Sequence, residues 1–173
     1  FDLGGLAFDL GVVLLFIVLG AIFVAAEIAL ISLREGQLKA LAERGKRGAR
    51  VADLASHPNK FLAAVQVGVT LSGFLSAAFG ADRLGNYVVP RLIDAGLSEG
   101  VSETLSLVGL TLIIAYFSLV FGELVPKRVA LHSTENIALF VAAPVSFVSR
   151  LFKPLIWLLS HSSDLILKLF GID

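Results

Sequence analysis

The chain has 173 residues, 57% of them hydrophobic, and a mean hydropathy of +0.89, which places it among membrane proteins. Fourteen basic residues balance fourteen acidic ones, so no overall positive field marks a nucleic-acid binder. With no cysteine there is no disulfide framework, thiolate zinc site or cysteine nucleophile, and the scattered His57, His132 and His161 argue against a histidine-based metal or catalytic cluster.

The first apolar run, Leu10 to Ala26, is free of charge, and its helical pattern continues through Glu27 to Leu33, about 36 Å at about 1.5 Å per residue. It lacks a basic n-region and a clear cleavage pattern, so it reads as a membrane span over about 8–33 and not as a signal peptide. The chain opens on Phe1 without an initiator Met, which reads as a fragment, one domain of a longer protein. From Arg34 to Lys60 the charges turn basic, with Leu38, Leu41, Ala42, Val51, Leu54 and Ala55 interleaved at helical spacing. That pattern predicts a basic amphipathic helix over about 35–57, lying against a membrane surface and interrupted near Gly45 to Gly48. Contact with anionic lipid accounts for its charge, and coupling to a cytoplasmic regulatory domain is a second role open to it.

Pro58 suits the first turn of a helix, and the uncharged stretch from Phe61 to Gly80 predicts a second span over about 59–80. Gly68, Ser72, Ser76 and Gly80 recur every fourth residue there, a stripe of small side chains that admits a close neighbour, whether within one chain or across a dimer. Gln66 and Thr70 add polar groups at membrane depth. Ala81 to Glu103, with Gly85, Pro90, Gly96 and Gly100, reads as a mixed connection holding a short helix, and a third span follows over about 104–125. Seven Lys or Arg residues lie between the first and second spans and two between the second and third. The positive-inside rule then predicts an external N-terminus and a cytoplasmic first connection.

Past Arg128, the 13 uncharged residues from Ile137 to Ser149 contain Pro144, and Pro154 follows Lys153. Neither segment comfortably crosses a bilayer of about 30 Å. They read as broken juxtamembrane helices over about 134–170, interfacial or partly re-entrant, anchored by Arg150, Lys153, Trp157 and Lys168. A fourth span over roughly Asn136 to Ser160 is the alternative. No soluble domain and no internal repeat is visible.

The end of the third span carries the chemistry. Pro126 has no N–H to donate to the carbonyl four residues back, that of Gly122, and Glu123 adds a carboxylate beside it. A freed backbone oxygen next to a carboxylate suits a hard cation such as Mg²⁺ or Ca²⁺. Glu27 is the other carboxylate within a span, and both fall near the cytoplasmic third of the membrane by the orientation above. The alternative for these acids is structural pairing, Glu27 with Arg34 or Lys127 and Glu123 with Lys127. Serine and threonine in spans ordinarily bond back to their own helix, yet Ser118 is one turn before Gly122, and Thr70 and Ser72 sit mid-span on the small-residue helix. Those hydroxyls are the remaining candidates for a coordination shell. Nothing pairs a nucleophile with a base, so no enzymatic activity is expected.

Three ordered segments are then familiar: Phe23-Val24-Ala25-Ala26-Glu27-Ile28-Ala29-Leu30, Gln66-Val67-Gly68-Val69-Thr70-Leu71-Ser72-Gly73, and Gly122-Glu123-Leu124-Val125-Pro126-Lys127. Together they resemble the transmembrane domain of the CorC/CNNM family over nearly the whole chain. The resemblance implies an all-α membrane protein with three transmembrane helices and a cytoplasmic-side belt of juxtamembrane amphipathic helices. It also implies a homodimer, with cytoplasmic CBS-pair and CorC-type domains downstream. The function implied is Mg²⁺ transport across the plasma membrane, as export driven by Na⁺ exchange, with a non-transporting anchor or Mg²⁺ sensor as the competing class. Many members of that family carry an asparagine where this sequence has Gly73 and serines where it has Val24 and Ala26. Metal ligation accordingly falls to Glu123, Gly122, Ser72, Thr70, Ser118 and Glu27.

Overall fold

The computed structural model describes residues 3–172, and among them the chain is helical with no strand. Its elements are α1 (Leu3–Ser32), α2 (Glu35–Ala42), α3 (Lys46–Ser56), α4 (Pro58–Asp94), α5 (Glu99–Leu119), a π-helical turn (Val120–Leu124), α6 (Val125–His132), α7 (Thr134–Leu151) and α8 (Lys153–Leu169). Three helical stretches are long and apolar enough to cross a membrane: Leu3–Ser32, Phe61–Asp94 and Glu99–His132. Their outward faces carry exposed Leu14, Leu15, Val18, Phe74, Leu105, Leu112 and Ile113, a surface that suits lipid tails.

Two of the spans are longer than the uncharged runs suggest. The mixed connection expected over 81–103 is instead helix through Asp94, with Pro90 inside it. Proline takes a helical φ without strain, and the carbonyl it frees belongs to Asn86, which is exposed. The helix stops where Gly96 adopts a φ of +106°, with its N–H donating to the Ile93 carbonyl and that of Leu97 to the Leu92 carbonyl. That is a Schellman ending, which glycine permits at low cost. Ser98 then caps α5, its hydroxyl accepting from the Val101 N–H at 3.3 Å.

The chain forms two compact units. The first comprises the residues up to Ala25 and Val69–Val129, hence most of α1, most of α4, α5 and the π-helical turn. Val13, Ile17 and Ile114 form its buried apolar centre, with Phe79 packed against them and Phe16 meeting Phe79 edge to face at 6.4 Å. The small-residue stripe of α4 is used inside this chain. Ser76 is fully buried, Ser72 is 7% exposed, and a Cβ on Gly80 would overlap the Ile114 side chain.

The second unit comprises Ala26–Gly68 and the residues from Ala130 onward. The basic segment is two helices, α2 and α3, broken at Gly45, whose φ of +109° only glycine adopts readily. Leu41 and Val51 are buried, and Gly48 lies so close to the Leu41 carbonyl that a Cβ there would overlap backbone. α3 packs on α7, and Gln37 of α2 donates to Glu135 of α7 at 3.0 Å. Pro144 does not break α7, which continues to Leu151. The break falls at Phe152, where α7 and α8 bend by 70°. α8 buries no residue and leaves Trp157, Leu158, Leu165 and Ile166 exposed.

Candidate cation site

The wall that carries the chemistry is a helix forced out of α geometry. Five residues at 3.6 per turn would carry Glu123 roughly 140° around the helix from Ser118. From Val120 to Leu124 the helix widens to π geometry, with the Val125 N–H donating to the Val120 carbonyl five residues back. Residues five apart come near to alignment in such a turn, so Glu123 swings toward the face of Ser118. Pro126, buried just beyond, withholds the N–H that α geometry would give the Gly122 carbonyl. Gly122 itself is buried, and a Cβ there would stand 3.6 Å from both the Ser118 hydroxyl and the Ile17 carbonyl.

These residues line a cavity of about 40 Å³ in the first unit, together with α1 and α4. α1 contributes Phe16, Ile17 and Gly20, α4 contributes Val69, Ser72 and Gly73, and the third wall is Ser118, Gly122 and Glu123. At roughly 10–15 Å³ per water-sized occupant, the space suits a small ion with one or two waters. Its lining side chains include the Glu123 carboxyl group and two hydroxyls, oxygen groups of the kind that suit a hard cation. Among the described residues no group of three or more histidine or acidic side chains could hold a metal, so a cation here depends on neutral oxygens as much as on Glu123.

Four of the six sequence-derived residues, Ser72, Ser118, Gly122 and Glu123, meet at this cavity. Thr70 is half-buried on α4 and does not line it, because two residues on a helix turn a side chain about 200° away from Ser72. Glu27, half-buried on α1, falls in the second unit and is not among the lining residues. Among the described residues no ion pair joins Glu123 to Lys127 in the first unit or Glu27 to Arg34 in the second, the pairings that stood as the alternative reading of these acids.

Sequence pointed to α1 through Glu27, and the α1 residues that do line the cavity, Phe16, Ile17 and Gly20, were not foreseen. Gly20 carries the one available signal, a small residue on a span that faces a small-residue stripe: a Cβ on it would stand 3.3 Å from the Ser72 Cβ. Gly73 lines the cavity too, and its missing side chain leaves room there.

Three apolar helical spans, one of them bearing a carboxylate on a π-helical turn inside a small cavity, define a multi-pass membrane protein with an intramembrane polar site. The chain belongs to the CNNM family: residues 10–173 match its Cyclin M transmembrane N-terminal domain. It is 44% identical over 165 residues to UPF0053 protein sll0260 of Synechocystis sp., covering 95% of this chain and 37% of that protein. It is 31% identical over 166 residues to UPF0053 protein YhdP of Bacillus subtilis, again 95% of this chain and 37% of the relative. The Polyamine export protein of Haemophilus influenzae is 31% identical over 154 residues, 88% of this chain and 35% of that protein. The chain thus spans little more than a third of the length of these relatives.

Proposed function

We propose that this domain moves a divalent cation, Mg²⁺, across the plasma membrane, as Na⁺-coupled export through an inward-facing cavity. The observation that carries the reading is the cavity of about 40 Å³ in which Glu123, Ser72, Ser118 and the Gly122 backbone converge. Mg²⁺ prefers oxygen ligands and gives up water reluctantly, so a site with one carboxylate and space for one or two waters suits a partly dehydrated ion in transit. The basic first connection supports an external N-terminus and a cytoplasmic C-terminus. Homodimerisation, and CBS-pair and CorC-type domains downstream, belong to the same reading, as does the absence of enzymatic activity.

Glu123→Gln in the full-length protein tests it, because the substitution keeps the shape and removes the charge. Wild-type protein should show a Mg²⁺-dependent rise in melting temperature, about 1.4 kcal/mol at ten times Kd. It should also move Mg²⁺ in liposomes under a Na⁺ gradient, and Glu123→Gln should lose both. Mg²⁺ transport unchanged in that variant would overturn the assignment. Mg²⁺ binding with no flux under any gradient would favour the competing class, a membrane anchor or Mg²⁺ sensor for regulatory domains.

A second cargo is raised by the Haemophilus influenzae relative, whose name describes polyamine export. A cavity of about 40 Å³ with a single carboxylate suits a compact inorganic ion better than an extended amine with several charges. Spermidine uptake assays beside the Mg²⁺ assays separate the two.

A further inference from the structure

The second unit holds a concavity of about 290 Å³ between α3 and α7. Arg50 and Asp53 line it from α3, with His57 just past that helix, and Ser146 and Arg150 line it from α7. Asp53, the acid on this wall, has its Oδ1 3.7 Å from the His57 Nδ1. Among the described residues neither Arg50 nor Arg150 has an ion-pair partner. Exposed arginines are ordinarily just solvated, and Arg150 in the last turn of α7 also suits the negative end of that helix. Here, however, like charges from distant segments of the chain are held at one concavity, because α3 packs on α7 with Val51 and Val145 fully buried. Like charges brought together repel, and an anion between them reverses the sign of that interaction.

A second, independent feature gives the anion a tail. A neighbouring concavity of about 250 Å³ shares Ser149 and Arg150 with the first and runs on to Lys153 and Ile156 of α8. Lys153 is a third cation without an ion-pair partner among the described residues. Beside it the surface turns apolar: Leu151, Trp157 and Leu158 are each more than half exposed, and α8 buries no residue. Charged and apolar surfaces thus meet at the 70° bend between α7 and α8. A soluble phosphate would leave the apolar part uncovered, whereas a phospholipid carries both chemistries. A zwitterionic headgroup would also bring its ammonium up to the same cations, so the charge selects a lipid with a net negative head.

We propose that Arg50, Arg150 and Lys153 hold the phosphate of one anionic phospholipid, whose acyl chains lie along the exposed apolar residues at the α7–α8 bend. This is a defined site, beyond the diffuse attraction of a basic segment for an anionic surface, and it does not rest on the transport reading.

Trp157, the sole tryptophan of this chain, stands one turn beyond Lys153 and reports on the tail. Full-length protein is placed in vesicles of phosphatidylglycerol and phosphatidylcholine in which one lipid or the other is brominated in its acyl chains, and subtraction of Trp157→Phe isolates the Trp157 fluorescence. Brominated phosphatidylglycerol should quench it as a lipid bound about tenfold more tightly than brominated phosphatidylcholine. Arg50→Gln with Arg150→Gln should lose that preference. Lys39→Gln with Arg44→Gln, which removes two exposed cations of the same unit outside both concavities, should keep it. Equal quenching by the two lipids in the wild-type protein overturns the proposal without recourse to any variant. An unchanged preference in the arginine variant overturns it too, as does equal loss in both double variants, which would reduce the effect to diffuse charge. Loss of the preference on adding millimolar inorganic phosphate would mark a soluble-anion site and overturn the lipid assignment.

Discussion

Gly20 of α1 and Ser72 of α4 lie so close that a Cβ on the glycine would stand 3.3 Å from the serine Cβ. That approach brings α1 against the face of α4 that bears Ser72, and it closes the cavity opposite Glu123. Small residues at such a contact let two helices gain dispersion attraction that bulkier ones would prevent. Gly20→Leu should therefore wedge the helices apart, costing about 1–3 kcal/mol of stability. It should also abolish Mg²⁺-dependent stabilisation, and a thermal melt of the full-length protein with and without Mg²⁺ checks both. An unchanged Mg²⁺ response would show that α1 is not a wall of the site.

Gly80 makes a parallel contact with a different partner. A Cβ there would overlap the Ile114 Cδ1, the far end of a flexible side chain, and stand 3.3 Å from a Val13 methyl. Gly80→Ala should destabilise by about 1–2 kcal/mol despite alanine's better helix propensity. Ile114→Val removes the clashing methyl. Combined with Gly80→Ala it should recover most of the loss, so a double-mutant cycle should give a favourable coupling of about 1 kcal/mol. Strict additivity of the two changes would contradict the packing described.

Pro126 places stability and function in opposition. Alanine restores the N–H that proline lacks and removes a ring from the helical stretch Glu99–His132. Pro126→Ala should raise thermal stability, by up to about 3 kcal/mol. If the freed Gly122 carbonyl and the π-helical turn serve the cation, the same change should weaken Mg²⁺ binding. A more stable protein with undiminished Mg²⁺ affinity would mean that the turn is structural only.

Gly48 tests the second unit separately. A Cβ there would overlap the Leu41 carbonyl, and backbone cannot move aside as a side chain tip can. Gly48→Ala should loosen α2 from α3 at a cost near the upper end of about 1–3 kcal/mol. It should also speed tryptic cleavage at Arg44, Lys46 and Arg47, while leaving Mg²⁺ binding at Glu123 unchanged. Cleavage at the wild-type rate would refute the tight α2–α3 contact.

Much of the architecture was legible because hydropathy acts over whole segments. Twenty uncharged residues from Phe61 to Gly80 can hardly do other than enter a membrane, and the basic spacing from Arg34 to Lys60 marks amphipathic helices wherever they dock. Helix ends were less legible. Pro90 and Pro144 looked like terminators, yet α4 and α7 continue through them, because proline fits a helix and its cost can be offset by packing on either side. The real stops, at Gly96 and Phe152, depend on local backbone geometry.

At the site, the sequence by itself determined the ingredients. Pro126 lacks an N–H in any fold, Gly122 has no side chain in any fold, and a carboxylate at Glu123 in an apolar run demands a partner or a purpose. Only the tertiary structure decided which groups converge. The π-helical turn rotates Glu123 toward Ser118, the contact of Gly20 with Ser72 brings α1 in as a wall, and neither Thr70 nor Glu27 lines the cavity. Backbone chemistry is local and can be read residue by residue, whereas the facing of side chains on different helices is fixed by how closely those helices pack.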